Sequence, residues 1–293
     1  MTKLTVENVY TRHKAKALAK QHFWKLLAMF AIAYGIPYGL AVITTGFIPT
    51  ASVTIYNTVM ILFMIVTPIL SCGLILGLTR ACLRLCLGDE SVTVGAVFSG
   101  MSQCLKSAGL GLWVGLKTLL WALPVYALLI VVAVLDMSSH AAQTSETAVA
   151  LFTVLPLIAM IIICGLVIPA ALRYMLSTYI LANKPDTGVF ACVRESKAMM
   201  KGHKWQAFKL AVPVFLVMYG IFLVAAVALS ALAAFVATTE TMVTIMGIVE
   251  LIIIAFIMAY FGIRLSLCYC LFYLNRVKES TPAEEPAEEP TAE

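Results

Sequence analysis

The sequence predicts an all-α polytopic membrane protein. Six transmembrane helices form three parallel two-helix repeats, each preceded by an amphipathic helix on the cytoplasmic surface. Three observations carry this expectation. Hydrophobic residues make up 62% of the 293-residue chain and charged residues only 12%, against roughly half and a quarter in soluble domains. Apolar runs recur at about the 20 residues that a helix needs to cross a bilayer. The basic residues fall on alternate connections between those runs.

The N-terminal arm comes first. It mixes charge and apolar residues throughout, without the basic start, apolar core and small-residue cleavage site of a secretory signal. Six apolar segments follow, at Leu26–Ile48, Val53–Leu78, Leu110–Leu135, Ala148–Leu172, Ala207–Val236 and Met242–Leu274. Each reads as a helix, because backbone groups in hydrocarbon must be satisfied within the segment. The last is longer than one span requires, so it tilts or runs on past the membrane. Pro37, Pro68, Pro124, Pro156, Pro169 and Pro213 lie inside these segments, where kinks are expected. The last stretch, ESTPAEEPAEEPTAE, is read as a disordered acidic cytoplasmic tail, 279–293.

Charge sets the orientation. The tail holds six of the 15 acids, so residues 1–278 oppose 20 bases to nine acids and carry a net +11. The bases lie in the N-terminal arm (Lys3 to Lys25), in the second-to-third connection and the start of the third span (Arg80, Arg84, Lys106, Lys117), in the fourth-to-fifth connection (Arg173 to Lys209) and at the C-terminal end (Arg264, Arg276, Lys278). The other three connections offer only Asp136, Glu146 and Glu240. The positive-inside rule places both termini and the two long loops in the cytoplasm. Basic surface on a membrane protein points to anionic lipid headgroups rather than to nucleic acid.

A repeat of about 90 residues underlies the pattern. AKALAKQHFWKLL (15–27) aligns without gaps on SKAMMKGHKWQAF (196–208), matching Lys16 to Lys197, Ala17 to Ala198, Lys20 to Lys201, His22 to His203 and Trp24 to Trp205. A weaker middle copy, SQCLKSAGLGLW (102–113), supplies Lys106 and Trp113. Upstream of each copy an apolar template recurs at i, i+3, i+4, i+7, the spacing of one helix face. It comprises Val6, Val9, Tyr10 and His13, then Val94, Val97, Phe98 and Met101, then Val189, Cys192, Val193 and Ser196. Each even-numbered span closes on an arginine: Arg80, Arg173 or Arg264. The units therefore run approximately 1–87, 88–182 and 183–278 within a single membrane domain, 1–278. Two spans per unit return the chain to the same side, which relates the units by a pseudo-axis along the membrane normal.

The stretch ACVRESKAMMKGHKWQAFKL, following YMLSTYILANKPD, resembles the hallmark of the bacterial membrane family called domain-of-unknown-function 975. In that family a small residue, a serine, an apolar pair with methionine, Lys-Gly and a basic-aromatic pair recur in this loop. Ser196, Met199, Met200, Lys201, Gly202, Lys204 and Trp205 match. The resemblance implies a multi-span protein of the bacterial cytoplasmic membrane, and no established activity.

The chemistry-bearing residues are few. Trp24, Trp113 and Trp205 fit headgroup-depth anchors, and Lys201 and Lys204 fit contacts to lipid phosphates. Gly202 fits a helix C-cap, where the surface helix turns into the membrane. Arg80, Arg173 and Arg264 have two readings. They snorkel to phosphates, or they converge around the pseudo-axis as a cationic ring for an anion. Glu250 is the one acid well inside a span, and lines a pathway, meets Lys117 or lies near the outer interface. The eight cysteines form no CxxC pair, and with the four histidines no zinc-type spacing. Reduced packing thiols are expected, with no metal and no cofactor. There is no P-loop, GxSxG, HExxH or paired-carboxylate arrangement, so no enzymatic activity is expected. The expected function is a lipid-associated scaffold or envelope-organising factor with a basic cytoplasmic face, with anionic lipids and an unidentified protein as partners. The alternative is a transporter or channel for an anionic or amphiphilic solute along an arginine-lined path. A lipid-modifying membrane enzyme comes third, for want of a catalytic set.

Overall fold

The computed structural model describes residues 3–47, 53–139, 165–236 and 240–280. The predicted outer loop with Asp136, His140 and Glu146, the upstream part of the fourth span, Pro156, Cys164 and the tail beyond Ser280 bear on residues or side chains outside that description.

Every described regular element is helical: α1 Lys3–Gln21, α2 Phe23–Phe47, α3 Val53–Cys86, a 3-10 helix Val94–Gln103, α4 Cys104–Ser139, α5 over 165–174, α6 Ser177–Asn183, α7 Val189–Met199, α8 Lys204–Val236 and α9 Glu240–Ser280. Helices α2, α3, α4 and α8 run through Pro37, Pro68, Pro124 and Pro213. Among the described residues, five segments are long and apolar enough to cross a membrane: Phe23–Val42, Asn57–Cys86, Gly165–Asn183, Lys204–Ala228 and Gly247–Glu279. They fall on the first, second, fourth, fifth and sixth predicted spans. The third predicted span lies within α4, a 36-residue helix outside those five. Helix α9 continues through Ser280, so the first two residues of the predicted tail are helical.

The apolar helices bury one end and expose the other. In α9 the large exposed side chains run from Met242 to Met258 and the buried ones from Phe261 to Tyr273. In α3 Ile61 to Val66 are exposed and Leu74 to Cys86 are mostly buried, and α8 buries Ala207 to Val214 but exposes Phe215 to Val227. Exposed bands of large aliphatic residues on this scale are what a lipid-facing helix presents. The buried ends are those that carry the arginines and lysines.

The chain divides into two compact units that do not follow the predicted repeat boundaries: Met1–Leu27, Cys82–Val92 and Lys209–Glu293 in one, Ala28–Ala81 and Thr93–Phe208 in the other. The first brings the chain's opening and closing helices together, α1 against α9. Helix α1 buries Asn8, Thr11, Ala15 and Ala19, while Val9 and Tyr10 of the predicted apolar face are exposed. The buried stripe is made of small and polar residues because α9 supplies the bulk: Leu267, Leu271 and Tyr273 are themselves almost fully buried. Arg276, 4% exposed at its side chain, pairs with Glu7 of α1 and with Glu279 one turn along α9. In the same unit Gln21 and Lys25 donate to Glu90. Cys82 and Cys86 stand one turn apart, within side-chain hydrogen-bond reach of Cys270. All seven described cysteines are free thiols.

The second unit is held by close backbone contact. A Cβ on Gly77 would stand 1.7 Å from the Val97 carbonyl oxygen, and one on Gly100 would stand 2.1 Å from the Gly73 carbonyl oxygen. Gly73 and Gly77 form a GxxxG stripe on α3 onto which the 3-10 helix settles. This is the small-residue packing that lets backbones approach inside a membrane protein. The approach explains why Val94–Gln103 is a tightly wound 3-10 helix rather than the predicted α-helix: Val97 and Gly100 are buried against α3, whereas Phe98 is exposed. Ser107 on α4 adds a hydrogen bond to the Cys72 carbonyl, at 2.9 Å.

Candidate functional site

The hallmark loop forms α7, a turn and the start of α8. Cys192, Val193, Ser196 and Met200 face inward and Lys197 and Lys201 outward. Burial, reinforced by the charge of Glu195, pushes the Cys192 thiol up. Gly202 adopts φ +86° between the two helices, a left-handed conformation that favours glycine. The aligned junction in the first copy, at His22 between α1 and α2, has Gln21 where the third has Gly202, and the break there is a single residue. Gly88, at φ +93°, ends α3 in the same way. The Asp89 amide returns to the Arg84 carbonyl, and the Ser91 hydroxyl and amide hold the Asp89 carboxyl below its usual range.

Ser196 reaches out of α7 to donate a 3.0 Å hydrogen bond to the Arg173 carbonyl. That bond sits at a break in the fourth span, where α5 ends at 174 and α6 begins at Ser177. The Ser177 hydroxyl bonds the Tyr174 carbonyl. Two buried serines thus satisfy the carbonyls that the broken helix would leave unpaired.

The three arginines have distinct surroundings. Arg80 donates to the Ser99 carbonyl at 2.8 Å and to the Gln103 side chain, tying α3 to the end of the 3-10 helix. Arg264 lies over Tyr260 and Phe261 of its own helix, 5.8 and 5.9 Å from their centroids. The Arg173 guanidinium lies 5.0 Å from the centroid of the Trp121 ring of α4, and its Nε is buried without a hydrogen-bond acceptor among the described residues.

Around Arg173 the structure gathers residues that the sequence left scattered. Trp113, Lys117 and Trp121 lie every fourth residue along α4, on one face. The Lys117 ammonium is 5.1 Å from the Trp113 centroid and 5.7 Å from that of Tyr174. Phe190 of α7 packs against Trp113 in a T-shaped contact, ring centroids 5.0 Å apart. Lys204 stands close enough to feel the like charges of Arg173 and Lys197. Among the described residues no carboxylate forms an ion pair with Lys117 or Arg173; Glu195 pairs with Lys184.

The other predicted anchors are set differently. Trp24 and Trp205 are exposed, by 77% and 62%, with Trp205 stacked on Phe208. Trp113 is half-buried in the cluster just described. Lys201 is exposed. Glu250 is half-buried, ten residues past the start of α9 at Glu240. Among the described residues no group of histidine, cysteine and carboxylate side chains has the arrangement of a metal site. Trp121, Tyr174 and the stacking role of Lys117 were not read from the sequence. The four-residue spacing WxxxKxxxW on α4 is the signal that points to them.

A family model described as "Protein of unknown function (DUF975)" matches residues 8–214. Searches of curated proteins and of solved structures gave no match. The match spans well over half of the chain, from α1 into the start of α8, and includes Arg80, Lys117, Arg173, Ser196, Lys201 and Lys204. The chain belongs to this family.

Proposed function

We propose that this member of the DUF975 family is a non-enzymatic, lipid-associated protein of the bacterial cytoplasmic membrane, with a broad basic face toward anionic headgroups. It serves as a scaffold or envelope-organising factor. The observation that carries the reading is the one-sided distribution of its 20 basic residues. Six spans, with α4 as the third, put both termini and both long loops in the cytoplasm. At 36 residues α4 is about 54 Å long, enough to cross a bilayer with a turn to spare at each side. The exposed Trp24 and Trp205 fit interfacial depth, and lysines near an anionic surface contribute roughly 1 kcal/mol each.

The three-repeat organisation belongs to the same reading. It is supported by the aligned α1–α2 and α7–α8 junctions and by the recurring buried stretch around each arginine. The transporter alternative is supported by the cations near the inner ends of the spans. A proteoliposome anion-flux assay separates the two, because a scaffold gives no flux above protein-free vesicles. Orientation is tested by impermeant thiol labelling of intact cells. A cysteine at Ser145 should react and one at Lys201 should not. The reverse pattern overturns the topology.

A further inference from the structure

We propose that Lys117 and Arg173, framed by Trp113, Trp121 and Tyr174, form a specific site for the phosphodiester headgroup of one anionic phospholipid. The proposal rests on the reading of a basic, lipid-facing protein and goes beyond it. A diffuse basic face attracts anionic lipid without fixing it, whereas this cluster has the geometry to hold one headgroup in place.

The argument starts from the guanidinium. The guanidinium carbon of Arg173 lies 5.0 Å from the centroid of the Trp121 ring. A cation–π contact satisfies none of the guanidinium's N–H donors, the fork that matches two phosphate oxygens. Its Nε is buried with no acceptor among the described residues, which is costly unless a ligand supplies one. Lys117 is held between the Trp113 and Tyr174 rings. Aromatic faces orient a cation but leave its charge unneutralised. Lys204 adds a third positive charge in electrostatic reach of Arg173. Three cations that pair with no carboxylate among the described residues call for an anion.

Two features make that anion a lipid. The cations sit inside the ends of apolar helical segments: Lys117 is about two turns inside the predicted third span, and Arg173 lies ten residues before the Asn183 end of its segment. Beside them on α4, Leu116, Leu119 and Leu120 are about half exposed, an apolar surface for acyl chains next to the charge. The framing tryptophans suit the boundary between headgroup and chain. Ser196 of the hallmark loop fixes the Arg173 backbone and so acts as a positioning residue.

The test is native mass spectrometry of the full-length protein, released from nanodiscs of equimolar phosphatidylcholine and phosphatidylglycerol. Wild type should retain one phosphatidylglycerol in preference to phosphatidylcholine. Lys117→Gln and Arg173→Gln should each lower that preference by about tenfold, the size of one charge-assisted hydrogen bond. Lys278→Gln removes one charge elsewhere and should leave the preference unchanged. If wild type prefers phosphatidylglycerol and neither site variant alters this, the site is wrong while the broader reading stands. No preference in wild type overturns both. Displacement of the lipid by millimolar inorganic phosphate, with the same sensitivity to the variants, makes the ligand a soluble anion and overturns the lipid assignment. Should Arg173→Gln fail to fold, Lys117→Gln decides, because Lys117 makes no hydrogen bond to the rest of the unit among the described residues.

Discussion

Gly77 and Gly109 are both helical glycines, yet they have opposite reasons to be small. A side chain at Gly77 collides with the Val97 carbonyl, whereas a Cβ at Gly109 meets nothing within 4 Å. Gly77→Ala should therefore lower the unfolding midpoint in detergent, by the equivalent of about 2 kcal/mol or more, since backbone rather than a flexible side chain must move. Gly109→Ala should be neutral or stabilising, by up to about 1 kcal/mol. Ser196→Ala leaves the Arg173 carbonyl without its donor in a buried setting and should cost roughly 1–3 kcal/mol. Cys192 carries a pH signature. Its thiol is fully buried and pushed up, so the folded state favours the protonated form. That contribution to stability is present below the ordinary thiol range and is lost as pH rises through the raised folded value. Maleimide should accordingly label Cys192 far more slowly than an exposed cysteine at neutral pH. Rapid labelling of the native protein would contradict the buried placement of α7.

At the scale of elements, α1 and α9 show what periodicity can and cannot reveal. Helix α9 was legible as a long apolar run ending in basic residues, and its extension to Ser280 follows from Arg276 and Glu279 pairing one turn apart. Helix α1 was legible as a helix but not in its facing. The apolar template chose Val9 and Tyr10, whereas the partner selects Asn8, Thr11, Ala15 and Ala19, because small residues permit the closer approach. The template matches the observed inward face in α7, where Cys192, Val193 and Ser196 turn inward. Its middle copy is wound into a 3-10 helix by the GxxxG contact, which local pattern does not report. The α1–α9 contact has its own test. Arg276→Ala removes a buried guanidinium from Glu7 and Glu279, both partly hydrated, so the loss should be about 1–3 kcal/mol, less than for a fully buried pair. Limited proteolysis should then cut within α1 before the apolar segments. Unchanged α1 protection would show that the pair does not hold the two helices together.

At the scale of the whole molecule, composition and charge asymmetry were enough to read an all-helical chain with membrane-length segments, and the hallmark loop was enough to place its family. The cation–aromatic cluster was only half legible. Arg173, Lys204 and Trp113 stood out as residues, but Trp121 read as one more apolar position and Lys117 as a stray charge. Their meaning depends on α5 lying beside α4, a long-range contact that no local spacing encodes. The central claim is that this protein is built for anionic lipid on its basic side. It is tested most directly by the unfolding midpoint of the full-length protein in nanodiscs of phosphatidylcholine alone and of phosphatidylcholine with phosphatidylglycerol, at low salt. The account predicts a higher midpoint with the anionic lipid, diminishing as salt screens the surface charges. Equal midpoints in the two lipids would contradict it.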